Sequence, residues 1–254
     1  MRVLAGLAEG LGIRATARVF EVAATTVLQW LMAAAEQLRA FSRSLLCEVH
    51  VEQLPRDEGY AVLRDLKAGA IRDDEAIQRL ERSPCWVGTA MAPQRQLLLV
   101  TAVGTRTLEM AQRVGQQVVQ RLAPGGVPLC LTDGLKADAP ALLTHVGPWR
   151  QPARRREKGP LPKPRWVPVP ALLDAQVVQS SRRRRIVGVN YRVVFGTMKR
   201  VQQVLAACGR KINTAFVERL NLDIRQRVAA VGRRGKTLGQ GEDGLRQPLA
   251  VSPV

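Results

Sequence analysis

Acidic residues follow two predicted strands of this chain, and such positions suit the binding of hard metal ions. Asp57 and Glu58 come directly after the expected end of the first strand, and Asp133 directly follows a later, short apolar strand. Clefts at strand ends are general ligand sites in such sheets, and Mg²⁺ and Mn²⁺ prefer carboxylate oxygens. The pattern favours metal-dependent chemistry, but spacing alone does not separate Asp57 from Glu58 or Asp65 as the first ligand.

A third acid stands on the last long helix that the pattern predicts, over about 201–231. Glu218 and Arg225 are seven residues apart, or two helical turns, so they share a face, and Asn221 lies one turn from each. Glu218 is also a lone acid in strongly basic surroundings. Two interpretations remain open at this point. Glu218 is either a functional carboxylate or one partner of an ordinary surface salt bridge, which contributes little to stability.

The elements that must position these acids alternate between the strand and the helix period. The first strand shows apolar residues at Cys47, Val49 and Val51 that alternate with polar ones. The order of elements predicts an α/β fold built on a mixed sheet. Further strands are expected over 86–91, 97–103 and 127–131, and helices over 60–83, 108–122, 140–145 and 171–181.

Positive charge is concentrated in one block of the chain. The net charge is +18, and residues 147–236 hold 22 of the 39 Lys and Arg but only 4 of the 21 Asp and Glu. Such segregation favours a polyanionic partner, because cations that neutralise phosphates release condensed counterions. The block contains a Pro-rich basic segment over 148–170, interpreted as an extended surface arm or a disordered linker. The run Arg182–Arg185 favours a phosphate track over a solvated face or a localisation signal.

Several other classes of protein fit this sequence less well. The chain has no apolar stretch of about 20 residues and no basic amphipathic helix, so no membrane partner is expected. The N-terminus lacks the pattern of a signal peptide. The four cysteines lie far apart without a C-x-x-C pair, which fits neither a zinc site nor a disulfide framework. Reduced thiols in a cytoplasmic protein are therefore expected.

The first 42 residues are predicted to form two short helices, a tight turn and a third helix, which is the helix-turn-helix order. The stretch I-R-A-T-A-R-V-F-E-V-A-A-T-T-V-L-Q-W-L resembles the helix-turn-helix of bacterial transposases and invertases. This resemblance implies that Thr25, Thr26 and Gln29 face the major groove of DNA. It also implies that Val22, Val27, Leu28 and Leu31 are core residues. The alternative is a plain three-helix cap without a role in DNA binding.

Four further stretches are similar to insertion-sequence DDE transposases of the insertion-sequence-one type. They are R-D-E-G-Y-A-V-L-R-D-L-K-A-G, V-G-T-R-T-L-E-M-A-Q-R-V, P-L-C-L-T-D-G-L-K and C-G-R-K-I-N-T-A-F-V-E-R-L-N-L-D-I-R-Q-R. The most specific motif is N-T-x-x-x-E-R-x-N-x-x-x-R. The resemblance implies a helix-turn-helix domain over 1–42, an RNase H-like mixed-sheet catalytic domain over 43–235 with the arm at 148–170, and a C-terminal tail over 236–254.

The resemblance also implies a site of three carboxylates, Asp57, Asp133 and Glu218, that holds two Mg²⁺ or Mn²⁺ ions. Two such ions activate the attacking hydroxyl and stabilise the leaving 3′ oxygen of an in-line displacement at phosphorus. The implied activity is binding of transposon ends, DNA cleavage and strand transfer by a homo-oligomer in the bacterial cytoplasm, associated with the nucleoid. The DNA-binding residues are then expected to be Thr25, Thr26, Gln29, Arg182, Arg183, Arg184, Arg185 and Arg225.

The chain departs from this family in three respects. Relatives usually carry an upstream segment, often a small zinc-binding module, and continue with an aromatic-rich segment beyond the present C-terminus. Pro55 and Arg56 precede Asp57 where relatives have continuous strand, and a proline there removes a ladder donor. These departures favour a truncated copy, so an inactive DNA-binding repressor is the alternative function. A basic RNA-associated protein would explain the charge but not the spacing of the three acids.

Overall fold

The computed structural model describes residues 2–60, 85–154, 161–182, 185–209, 215–228, 231 and 241–252. Its helices are α1 (Arg2–Ala8), α2 (Ile13–Val19), α3 (Ala24–Leu45), α4 (Leu108–Val119), α5 (Asp138–Val146), α6 (Met198–Ala207), α7 (Ala215–Arg227) and α8 (Gly241–Val251). Its strands are β1 (Gln53–Tyr60), β2 (Trp86–Ala92), β3 (Leu97–Gly104), β4 (Leu129–Thr132), β5 (Trp149–Arg150), β6 (Arg165–Trp166), β7 (Leu173–Arg182) and β8 (Arg185–Phe195).

Six strands form one mixed sheet in the order β3-β2-β1-β4-β7-β8. The pairs β3–β2 and β2–β1 are antiparallel, and so is the pair β7–β8 at the other side of the sheet. The central strand β4 runs parallel to both β1 and β7. The fold is therefore α/β, and the carboxyl ends of β1, β4 and β7 lie at the same edge of the sheet.

Helices cover both faces of this sheet. On one face α4 and α5 pack against the central strands, with Val114 and Leu142 in the same cluster as Leu54. On the other face α7 and α8 pack over β2 and β3, while α6 packs over β4 and β7. A Cβ atom on Gly88 of β2 would lie 2.9 Å from Met110 Cε, so glycine permits the close approach of α4. The strands between the helix layers are buried on both sides.

The N-terminal helices meet through a short turn. Residues 20–23 connect α2 to α3, and Glu21 there has a φ of 54°, in the left-handed region that few non-glycine residues adopt. Val27 and Leu31 of α3 are buried. The helix α3 is 22 residues long and also contacts α8, so the N-terminal helices are connected to the rest of the chain by side-chain packing.

Much of the expected secondary structure is confirmed, with some corrections. The strands predicted over 86–91, 97–103 and 127–131 are β2, β3 and β4, and the helices predicted over 108–122 and 140–145 are α4 and α5. The helix predicted over 171–181 is wrong, because Leu173–Arg182 forms β7. Its short apolar run is buried on both faces, and periodicity alone cannot separate such a strand from a buried helix.

Three other boundaries differ from the predicted ones. The first strand begins at Gln53 and not at Cys47, because α3 continues to Leu45. The long helix predicted over 201–231 is two helices, and α6 ends where Gly209 takes a φ of 63°. The segment predicted as a tail contains α8, which buries Leu245 and Leu249 against the sheet. The helix predicted over 60–83 falls almost entirely on residues 61–84, which are outside the described residues.

Candidate active site at the carboxyl edge of the sheet

Asp57 lies within β1, and Asp133 directly follows the neighbouring parallel strand β4. The strand end predicted just before Asp57 is wrong, because pairing with β2 extends β1 to Tyr60. Pro55 of β1 is in register with Leu131 of β4, and Asp57 and Asp133 follow two residues further along each chain segment. Parallel strands end at a common edge of a sheet, so the register brings the two segments together there. The structure thus places the first two acids of the predicted set at equivalent positions just past the β1–β4 ladder. Asp65, the more distant alternative, lies outside the described residues.

Pro55 does not displace Asp57 from the strand. The Leu129 N–H donates to the backbone oxygen of Glu52 at 2.9 Å. Backbone groups of successive strand residues point to alternate sides, so the position of the missing Pro55 N–H faces away from β4. The ladder with β2 starts only one residue after Pro55. The strand therefore continues through Asp57, which pairs with Thr89 of β2.

Asn221 of α7 contacts the carboxylate of Asp57. Its Nδ2 donates to Asp57 Oδ2 at 2.8 Å, and the residue is only 5% exposed. The hydroxyl oxygen of Thr89 lies 3.1 Å from the backbone oxygen of Asp57 and 3.2 Å from Asn221 Oδ1, and both are acceptors. Because the Thr89 hydroxyl lies next to the amide oxygen of Asn221, the NH₂ group of Asn221 faces Asp57. Sequence analysis singled out Asn221 only by its spacing and gave Thr89 no role.

Glu218 and Arg225 lie on the same helix, one turn before and one turn after Asn221. Glu218 is exposed in the first turn of α7, and Arg225 is half-buried in the last turn. Within the described ranges, no group of three or more His, Cys, Asp or Glu side chains is placed to hold a metal ion. The structure therefore brings α7 onto Asp57 through Asn221 but does not join the three predicted carboxylates in one cluster.

Asp133 contacts a cation from the loop before α4. Its Oδ2 lies 3.5 Å from Arg106 Nη2, and the N–H of Leu135 donates to its Oδ1 at 3.4 Å. The Arg106 guanidinium lies over the ring of Trp86, 4.7 Å from the centroid, and this cation–π contact holds it in position. Gly134 has a φ of 95°, a conformation that favours glycine, so the Thr-Asp-Gly sequence permits the turn after β4.

A buried group of charged residues lies next to these strand ends. Arg56 and Asp138 are 3% and 1% exposed and form an ion pair with 3.1 Å between Nη2 and Oδ1. Asp174 of β7 is fully buried, and among the described residues neither of its carboxylate oxygens has a hydrogen-bond partner. Burial raises the pKa of Asp174 to about 7; the charge of Asp138 acts in the same direction, and Arg56 opposes it. Burial also raises the pKa of Asp138, against the effect of Arg56.

The thiol beside this group is not a nucleophile at neutral pH. Cys130 is in register with Asp174, and burial raises the pKa of its thiol to about 12, with the negative charge of Asp174 acting in the same direction. The thiolate is the reactive form of cysteine. Cys130 therefore acts as a small apolar side chain in the core.

The proposed DNA reader is on the surface of α3. Thr25 and Gln29 are exposed and Thr26 is half-buried, all within the first two turns of the helix. Leu28, expected in the core from the family resemblance, is 39% exposed, whereas Val27 and Leu31 are buried as expected. The polar candidates thus lie on the part of α3 that packing leaves accessible.

The arginine run lies at the end of a β-hairpin. Arg182 and Arg185 are the last directly opposed pair of the β7–β8 ladder, and Arg183 and Arg184 are outside the described residues. Two-stranded β-ribbons are among the elements that fit the major groove of DNA. Arg182 and Arg185 therefore belong to paired strands, where the sequence predicted a helix up to residue 181.

Comparison with known proteins finds no relative. No protein-family model, no curated protein and no solved structure matches the chain. Across the described part of the chain, no helix has the length and apolar character needed to cross a membrane. A functional proposal therefore depends on the residues and geometry of the chain.

Proposed function

We propose that the protein is a transposase that binds transposon ends and cuts and joins DNA strands in a metal-dependent reaction. The observation that carries the proposal is the position of Asp57 and Asp133, each two residues past the last pair of the β1–β4 ladder, with α7 packed on Asp57 through Asn221. The family resemblance implies this kind of site: an RNase H-like mixed sheet with two acids at strand ends and a third, Glu218, on a later helix.

The donor atoms at this edge suit Mg²⁺ or Mn²⁺. Asp57 and Asp133 offer carboxylate oxygens, the ligands that these hard ions prefer, and Glu218 would supply the third carboxylate. Two ions held by these residues would activate an attacking hydroxyl and stabilise the leaving 3′ oxygen at phosphorus. Asn221 donates a hydrogen bond to the carboxylate of Asp57, and the guanidinium of Arg106 lies next to the carboxylate of Asp133. Both contacts limit the number of positions that the two carboxylates can adopt before DNA binds.

Two surfaces of the chain are suited to DNA. The exposed Thr25 and Gln29 on α3, with the tight turn at Glu21, support a helix-turn-helix reader in the major groove. The hairpin end at Arg182–Arg185, together with Arg225 on α7, supports contacts with phosphates, which position a protein without reading sequence. Acting on chromosomal DNA would place the protein in the bacterial cytoplasm at the nucleoid, as a homo-oligomer on the DNA.

A second candidate function is a DNA-binding repressor without catalysis. The observation that favours it is the hydrogen bond from Asn221 to Asp57 Oδ2, because this bond gives the carboxylate a partner other than a metal ion. Both candidates bind DNA with strong salt dependence. They differ in whether strands are cut.

The deciding experiment uses labelled element ends incubated with the full chain and Mg²⁺, Mn²⁺ or chelator. The transposase proposal predicts nicked and strand-transfer products with either ion and none with chelator. Specific binding of the ends with no product under any ion condition would support the repressor and contradict the transposase. Chelator-resistant nicking would contradict the two-metal mechanism.

A further inference from the structure

We infer that the short ribbon in the Pro-rich arm is a stacking site for an unpaired nucleobase, formed by Trp149 and Trp166. The inference rests on the proposed DNA-binding function and adds one feature of the DNA: a base that lies outside the duplex stack. Neither tryptophan belongs to the DNA-binding set that the sequence predicts, since the arm stands out there only for its prolines and cations.

The two tryptophans form an exposed aromatic pair. Trp149 of β5 is directly opposite Trp166 of β6. Their ring centroids are 5.2 Å apart with an interplanar angle of 66°, an edge-to-face arrangement. Trp149 is 57% exposed and Trp166 is 37% exposed. An aromatic pair of this size in solvent marks a binding surface, and its accessible ring faces can stack against another π system.

Local contacts hold the ribbon in one shape. The Val167 N–H donates to the backbone oxygen of Pro148 at 3.1 Å, and Gln151 Nε2 donates to the oxygen of Pro162. A Cβ atom on Gly147 would lie 2.6 Å from the oxygen of Val167, so the base of the ribbon packs at a distance that only glycine allows. A site that is already ordered loses less conformational entropy when a ligand binds.

The charge around the aromatic pair identifies the occupant as a polyanion. Arg150 and Arg165 are directly opposed in the register position next to the tryptophans, and both are exposed. Side chains alternate across a ribbon, so the arginines lie on the face opposite the tryptophans. Residues 147–170 contain seven Lys and Arg and one acid, Glu157. Aromatic stacking combined with cations along the backbone is how proteins bind single-stranded nucleic acid.

The same geometry excludes the interior of an intact duplex as the ligand of the tryptophans. A base inside a duplex has both faces covered by its neighbours, so a side-chain ring can stack only on a base that is unpaired or terminal. DNA cleavage and strand transfer create such bases at the cut ends. The tryptophan face of the ribbon would therefore contact an unpaired base at such a strand end.

The test compares three DNA probes in the presence of chelator: a blunt duplex, the same duplex with a single-stranded 3′ overhang, and the single strand alone. The full chain is measured as wild type and as Trp149→Ala, Trp166→Ala and Trp149→Phe. Leu161→Ala is the matched control, because Leu161 is a 60% exposed apolar residue of the same arm. Thermal unfolding of each variant checks that the exposed substitutions leave the fold intact.

Each Trp→Ala variant is expected to lose roughly five- to hundredfold affinity for the overhang and single-strand probes. Its affinity for the blunt duplex should stay within about twofold, Trp149→Phe should retain most of the binding, and Leu161→Ala should match wild type. Equal affinities of wild type and Trp→Ala for all three probes would overturn the inference while leaving the proposed function intact. The inference would also be overturned if the Trp→Ala variants lost self-association without any change in DNA binding. That result would show that the tryptophan pair contacts a second copy of the chain. A wild-type protein that binds none of the probes would overturn the proposed function as well.

Discussion

The buried carboxyl group of Asp174 predicts that stability falls as pH rises toward neutrality. Asp174 is fully buried and has no hydrogen-bond partner among the described residues, so its charged form is poorly solvated. The informative perturbation is Asp174→Asn, which keeps the size of the side chain and removes its charge. Because Asn cannot ionise, the variant should lose the part of the pH dependence that Asp174 causes.

The expected magnitude follows from the pKa of the carboxyl group. Burial raises the pKa of Asp174 from 3.8 to about 7 in the folded protein. Below pH 3.8 both folded and unfolded chains carry the proton, and the folded state has no penalty. As pH rises toward 7 only the unfolded chain releases the proton, so stability falls, and above about 7 the loss is complete. At about 1.4 kcal/mol per pH unit the total is roughly 4 kcal/mol, of which about 2 to 3 kcal/mol develops between pH 5 and pH 8.

Urea unfolding of wild type and Asp174→Asn at several values between pH 5 and pH 8 measures this difference. The stability of the variant relative to wild type should increase by about 2 to 3 kcal/mol across this range. Glu36→Gln is the matched control, because it removes one acidic charge from an exposed position of α3 and should leave the wild-type profile unchanged. A constant stability difference between Asp174→Asn and wild type at all pH values would refute the assignment of Asp174 as a buried, protonated carboxyl group.

Other predictions concern the buried ion pair and the two DNA surfaces. Arg56→Met should lower the free energy of unfolding by about 3 to 5 kcal/mol at neutral pH, because Asp138 stays buried without its partner. Adding Asp138→Leu should restore much of this loss in urea unfolding. Absence of such a rescue would contradict the pairing. Replacing Arg182–Arg185 with Ala should weaken binding to all DNA sequences about equally and reduce the log–log salt slope by roughly 0.9 per lost phosphate contact, measured by titration at several salt concentrations; an unchanged slope would exclude the phosphate track. Gln29→Ala should alter which DNA sequence is preferred in a competition assay, whereas an unchanged preference would remove Gln29 from the reader.

Local sequence patterns predicted the helices and strands that are determined by the order of neighbouring residues. The short apolar runs of β2 and β3 and the apolar face of α4 are visible in the residues themselves, and Pro93 and Gly125 fall in the connections that end these elements. Asp133 was also accessible to sequence reasoning, because a strand followed at once by a polar turn marks an edge of a sheet. Asp57 was predicted after a strand end that does not exist, because pairing with β2 extends β1 to Tyr60.

The remaining features depend on packing that no local pattern records. Residues 173–177 of β7 are buried on both faces, so Asp174 and Gln176 do not mark a solvent face as polar residues of an edge strand would. The contact between Asn221 and Asp57 joins residues that are 164 positions apart. No sequence pattern marks Asp174, and its burial comes from its position on β7, next to β4 in the interior of the sheet.

The most direct test of the central proposal compares Mg²⁺-dependent nicking of labelled element ends by wild type, Asp57→Asn and Glu218→Gln. A two-metal site that loses one ligand should leave little cleavage, whereas DNA affinity should stay nearly unchanged, because these acids are proposed to hold metal and not to read bases. Asp223→Asn is the control, since Asp223 is an acid of the same helix outside the proposed site. The transposase proposal predicts nicking by wild type and by Asp223→Asn and almost none by the other two variants. Nicking by Glu218→Gln at the wild-type rate would contradict it.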